Sequence, residues 1–126
     1  MKKQLVMVLV MVGAMALLSP QALSHSDAKP QHGGVVHSKY DLNFELVREP
    51  DDSVSLYLDD HGEPVATTDI TGQIMVLAGG KKSAAALTAA GTGKLVASAV
   101  QIPDGAKIVV TLTDKNQQVM TVRYSF

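Results

Sequence analysis

The sequence predicts an all-β domain, an immunoglobulin-like antiparallel β-sandwich of about seven strands preceded by a cleavable signal peptide helix. Three observations carry that prediction. From Gly34 onward apolar and polar residues alternate with the period of a half-buried strand. Clusters rich in Gly, Pro, Asp and Asn interrupt the alternation at intervals of roughly 8 to 12 residues, a rhythm that suits short strands joined by tight turns. The chain has 126 residues, 46% of them hydrophobic, and no cysteine, so one domain must hold together by packing alone.

The elements follow in order. Lys2 and Lys3 form a positive start, residues 5–18 an uncharged apolar run, and Ala22-Leu23-Ser24 supplies the small residues a signal peptidase reads. The apolar run is shorter than the roughly 20 residues of a spanning helix, so cleavage after Ser24 is expected. With no cysteine to carry a lipid, the product is expected to be soluble and periplasmic. Residues 1–24 are therefore read as signal peptide, 25–33 as a flexible arm containing His and Gly, and 34–126 as the sandwich.

Leu42, Phe44 and Leu46 alternate with Asp41, Asn43 and Glu45. After a turn at Glu49-Pro50-Asp51-Asp52, Val54, Leu56 and Leu58 alternate with Ser55, Tyr57 and Asp59, and the two runs form a hairpin. Further strands are expected over residues 70–78, 83–87, 94–100, 107–113 and 119–126. Their separators are Gly79-Gly80, Gly91-Thr92-Gly93, Pro103-Asp104-Gly105 and Asp114-Lys115-Asn116. Ala84-Ala85-Ala86-Leu87 has the composition of a helical turn; its short length and flanking glycines favour a strand.

The first hairpin also predicts a register. Directly opposed residues share a face, so matching the apolar sets requires paired numbers with an even sum. A three-residue loop around Pro50 makes that sum 100 or 102. Asp41 then stands opposite Asp59 or His61, at the end far from the turn. His37 lies only four residues before Asp41. The expectation is that His37, Asp41, Asp59 or Asp60, and His61 converge at one end of the sandwich.

Imidazole and carboxylate donors suit zinc or copper(II), so the candidate metal residues are His32, His37, His61, Asp41, Asp59 and His25. Strand parity sets His32 and His37 on opposite faces unless Gly33-Gly34 folds the chain back. Cleavage after Ser24 would leave His25 first, where its amine and imidazole chelate copper together. Each histidine also has a plainer role. His61 sits in Asp59-Asp60-His61-Gly62-Glu63-Pro64, a strong turn composition; His32 precedes a glycine bend; His37 borders a strand. Met75 and Met120 fall inside strands, where core packing is the expected role.

Other chemistry is thin. Without its first 24 residues the chain carries 9 basic against 12 acidic residues, a net charge of −3 with histidines neutral, and its longest basic stretch is Lys81-Lys82. That balance argues against nucleic acid and anionic lipid as partners. Asp41 and Glu45 have the alternation of a solvated strand face rather than of an acid/base pair. There is no Gly-x-Ser-x-Gly, His-Glu-x-x-His or phosphate-loop pattern, and an enzyme is not expected.

Several motifs carry a resemblance: His32-Gly33-Gly34-Val35-Val36, Tyr40, Phe44-Glu45-Leu46-Val47, Leu56 through Val65, and Leu77-Ala78-Gly79-Gly80-Lys81-Lys82. Together they resemble small exported bacterial proteins, and a region near the N-terminus of periplasmic adaptor subunits of heavy-metal efflux pumps of the resistance-nodulation-division class. The resemblance spans residues 32–126. It implies a periplasmic β-domain linked to metal handling, with His32 the residue most directly carried over. The pump subunits continue into a long hairpin and membrane-proximal domains, so this chain is not expected to be a complete adaptor.

Two functions follow as expectations. The first is a periplasmic binding protein for copper or zinc that buffers the ion or passes it to a component of a metal efflux system. The second is a metal-free interaction module that docks a partner protein along a sheet edge.

Overall fold

A computed structural model of the protein describes residues 28–126. The expected signal peptide and His25 lie outside the described residues. Within them the chain is all-β, with nine strands: β1 (Val35–Lys39), β2 (Leu42–Arg48), β3 (Val54–Asp60), β4 (Glu63–Pro64), β5 (Thr71–Ala78), β6 (Lys81–Ala89), β7 (Lys94–Ala97), β8 (Lys107–Thr113) and β9 (Val119–Ser125). Seven are those the sequence predicts. The short β1 and β4 are additional, because the alternation at residues 35–39 is masked by His37 and Ser38, and β4 is only two residues long.

Every pairing is antiparallel, in the order β1-β2-β3-β7-β6-β5-β8-β9, with β4 added to β3. β6 joins the two layers: residues 81–87 pair with β5, whereas Thr88 and Ala89 pair with β7. The sandwich is thereby bent into a nearly closed barrel. Tyr124, Val122 and Ile108 of one layer meet Phe44, Leu46, Leu56 and Leu58 of the other in a core that excludes water.

The predicted register is confirmed at the sum of 102: Phe44 opposes Leu58 and Leu46 opposes Leu56. Glu49 N–H closes the loop onto Ser53 O at 2.9 Å, with Asp52 in the left-handed region at φ 59°, as a three-residue hairpin loop requires. Two strands differ from expectation by more than one residue at an end. The strand expected over 94–100 stops at Ala97, because Ala99 adopts φ 56° and turns the chain away. The alanine-rich segment is a strand that begins at Lys81, where Gly79 and Gly80, at φ 57° and 76°, form a two-residue turn. Positive φ at both central residues matches the right-handed twist of the flanking strands.

Between β9 and β1 there is no ladder; side chains span the gap. Lys39 Nζ donates to Thr121 O at 2.9 Å, and Thr121 N–H donates to the Tyr40 hydroxyl at 3.1 Å. Tyr124 Oη donates to Phe44 O at 2.9 Å inside the core. Burial, with a smaller contribution from the Glu45 charge, pushes the Tyr124 phenol far above its ordinary range.

Candidate functional site

The arm before β1 creates the site. Strand β2 is buried on both sides: Phe44 and Leu46 face the core, and Glu45 and Val47 lie beneath residues preceding β1. Glu45 is 4% exposed. Its carboxylate accepts N–H bonds from Gln31 at 2.9 Å, His32 at 2.9 Å and Gly34 at 2.8 Å, which compensates an otherwise costly buried charge. The segment expected to be a flexible arm is therefore held at residues 31–34. Gly33 turns the chain at φ 75°. Gly34 lies so close to β2 that a Cβ there would overlap Leu46 O and Val47 Cγ2. Gly33 thus has a conformational reason and Gly34 a packing one, both independent of any ligand.

With the arm seated, the His32 ring stacks on Tyr57, centroids 3.6 Å apart and planes 10° from parallel. Lys94 Nζ lies over the same Tyr57 ring at 5.5 Å. His32 and Tyr57 border a cleft of about 710 Å³ on the outer face of β2 and β3, lined also by Lys29, Asn43, Asp59, His61, Pro64 and Gly93. Tyr57 belongs there by register, since Glu45 opposes Tyr57 and Tyr57 opposes Lys94. Asn43 and Asp59 oppose each other one row further along the same face.

The sequence-nominated residues divide between two environments. His32, Asp59 and His61 line the cleft. Asp59 Oδ2 accepts from Asn43 Nδ2 at 3.0 Å and from Gly62 N–H at 2.7 Å, so it also supports the β3–β4 turn. His61 occupies that turn at φ 50°, with Nδ1 2.6 Å from Asp60 Oδ1. The Asp60 hydrogen bond and charge, with smaller contributions from Asp41 and Asp59, raise the His61 pKa above its ordinary 6.5. Asp41 is exposed in the β1–β2 turn at φ 59°, close enough for its field to reach His61, as the register predicts.

His37 corrects the expected convergence. It opposes Phe44 in the β1–β2 ladder, and its ring meets that of buried Tyr124 at 4.9 Å. Because β1 folds back along β2, His37 points to the core side, whereas Asp59 opposes Asn43 on the outer side. Distance along the chain brings His37 near Asp41, but strand β1 sets its face. His32 and His37 do lie on opposite faces, but His32 precedes β1 and the chain turns at Gly33, so the arm's path rather than strand parity sets this. Met120 is buried in the core, but Met75 is half-buried and pairs with Val109 and Ala84 on the outer face. Among the described residues no group of three or more His, Asp or Glu stands ready to hold a metal ion.

Glu45 and Tyr57 were not singled out as site residues by sequence reasoning. Parity of the first hairpin puts both on the face of Asp59, but the covering arm that makes them important has no strand periodicity of its own.

No family model matches the sequence, and no curated protein matches it. Among solved structures, the chain is similar to one described as the Br derivative of BhCBM56, a carbohydrate-binding module. The identity is 15% and the TM-score 0.43, over 74% of this chain and 100% of that one. A likeness of that size assigns neither topology nor ligand.

Proposed function

We propose that the protein is a periplasmic transition-metal-binding domain that takes copper or zinc into the cleft beneath its N-terminal arm and passes the ion to a component of a metal efflux system. One observation carries this reading: His32, Asp59 and His61, three of the residues nominated by donor chemistry, line the same cleft. The residues suit the ion. Asp60 engages Nδ1 of His61, which orients the ring and leaves Nε2 as the ligating nitrogen, in the manner of a carboxylate–histidine–metal relay. His32 and Asp59 supply a second imidazole and a carboxylate. They are not gathered into a ligand group beforehand, so capture of the ion draws His32 off the Tyr57 ring, at a cost of about 0.5–1.5 kcal/mol for the lost stacking.

The test is a thermal melt of the purified protein, lacking its first 24 residues, with and without copper(II) or zinc. At 100 times the dissociation constant, the ion adds about 2.7 kcal/mol of stability. The expected result is a rise in melting temperature that His32→Ala and His61→Ala each reduce and His37→Ala leaves intact. No rise with either ion in the parent protein overturns the reading.

A further inference from the structure

We propose that the outward edge of β6 at residues 82–86 receives an extended, carboxylate-bearing segment of a partner protein as an added strand. This inference is independent of the cleft and its ligand. β6 pairs with β5 from Lys81 to Leu87, but with β7 only at Thr88 and Ala89. Beyond that point β7 departs: it ends at Ala97, and Val100 N–H donates to Asp52 O at 2.8 Å.

The parity of the edge can be read from its last bond. Ala90 N–H donates to Lys94 O at 2.9 Å, so even-numbered residues of β6 turn their N–H and C=O groups towards β7, and odd-numbered ones towards β5. Lys82, Ala84 and Ala86 therefore present these groups along an edge where no described backbone group pairs with them. Edge strands are commonly blunted by a proline, a bulge, an inward charge or edge lysines, and here Lys81 and Lys82 stand only at the start of β6. Residues 83–86 are Ser-Ala-Ala-Ala, regular and small, with charge only at Lys81 and Lys82.

Charge selects the occupant. The strands β5, β6, β8 and β9 contain Lys81, Lys82, Lys107 and Arg123 and not one Asp or Glu. Glu45, Asp59, Asp60 and Glu63 all lie in β2–β4 of the opposite layer. Lys82 and Lys107 flank Leu77, and Arg123 flanks Val109 beside Met75, all on the outer face. None of these cations has a carboxylate partner among the described residues. An acidic strand laid on β6 would complete the ladder and face this field. A second copy would bring the same cations against it.

The probe is a capped peptide of alternating Val and Glu, compared by fluorescence anisotropy with its Val-Lys counterpart, using the protein without its first 24 residues. The acidic peptide should bind at least tenfold more tightly, and more weakly as salt rises. Ala84→Pro removes only an outward N–H, so it should keep the fold and lose the peptide. Replacing Lys81 and Lys82 together by Glu should reverse the preference. Equal binding of the two peptides, or full binding by folded Ala84→Pro, overturns the proposal. So does a dimer in sedimentation of the protein alone that Ala84→Pro dissolves, because the edge would then belong to a second copy. If Ala84→Pro does not fold, the Lys81/Lys82 variant decides, and an unchanged preference overturns it.

Discussion

His61 shows how one side chain serves both a turn and a candidate ligand role. Its imidazole is exposed, yet the Asp60 carboxylate 2.6 Å away favours the protonated form. In an NMR titration its midpoint should lie above 6.5, and Asp60→Asn should bring it down. The sign follows from linkage: because the folded-state pKa is raised, the stabilising contribution is complete below about pH 6.5 and disappears as pH rises through the raised value. Metal binding runs the opposite way, since the ion competes with that proton. Affinity should therefore fall as pH drops through the same midpoint, whereas Asp60→Asn should retain affinity at lower pH unless loss of ring orientation outweighs the easier deprotonation. That the register would bring Asp41 near His61 was legible in the sequence. The stacking of His32 on Tyr57 was not, since it depends on the path of an aperiodic segment.

At the level of elements, the arm and its three bonds to Glu45 decide whether the cleft has a wall. Gly34→Ala should destabilise the protein by about 1–3 kcal/mol in urea unfolding, as a methyl group forced against β2 must displace it. The same substitution should weaken any cleft ligand more than it weakens the peptide at the β6 edge, which lies elsewhere on the sheet. Strands β2 and β3 were readable because alternation and turn chemistry agree there. The face of His37 was misread for a physical reason. Reversal of the chain at Tyr40-Asp41, both with positive φ, makes residues 35–39 a strand, and a strand assigns each side chain to one face. Tyrosine is an uncommon residue at such a position, so the turn carries little sequence signal.

Among the described residues the sheet is a barrel left open between β1 and β9 and along residues 82–86 of β6, with its sheet-borne carboxylates on one layer and cations without carboxylate partners on the other. Tyr124 links the two layers through its bond to Phe44 O. Tyr124→Phe should cost about 1–2 kcal/mol, read as a lower urea midpoint with an unchanged slope, because it leaves a buried acceptor without this donor. A changed slope would indicate that the layers also separate in the native state.

The sequence by itself determined the all-β class and the seven principal strands, and it narrowed the register of the first hairpin to two values of the same parity. Period-two patterning and turn residues are local, and parity converts them into pairing. Only the tertiary structure decided that Glu45 is buried beneath the arm, that His37 faces the core while His32, Asp59 and His61 share a cleft, and that residues 82–86 of β6 have no strand on their outer side among the described residues. Those facts depend on which distant segments cover which face, and no local period records that.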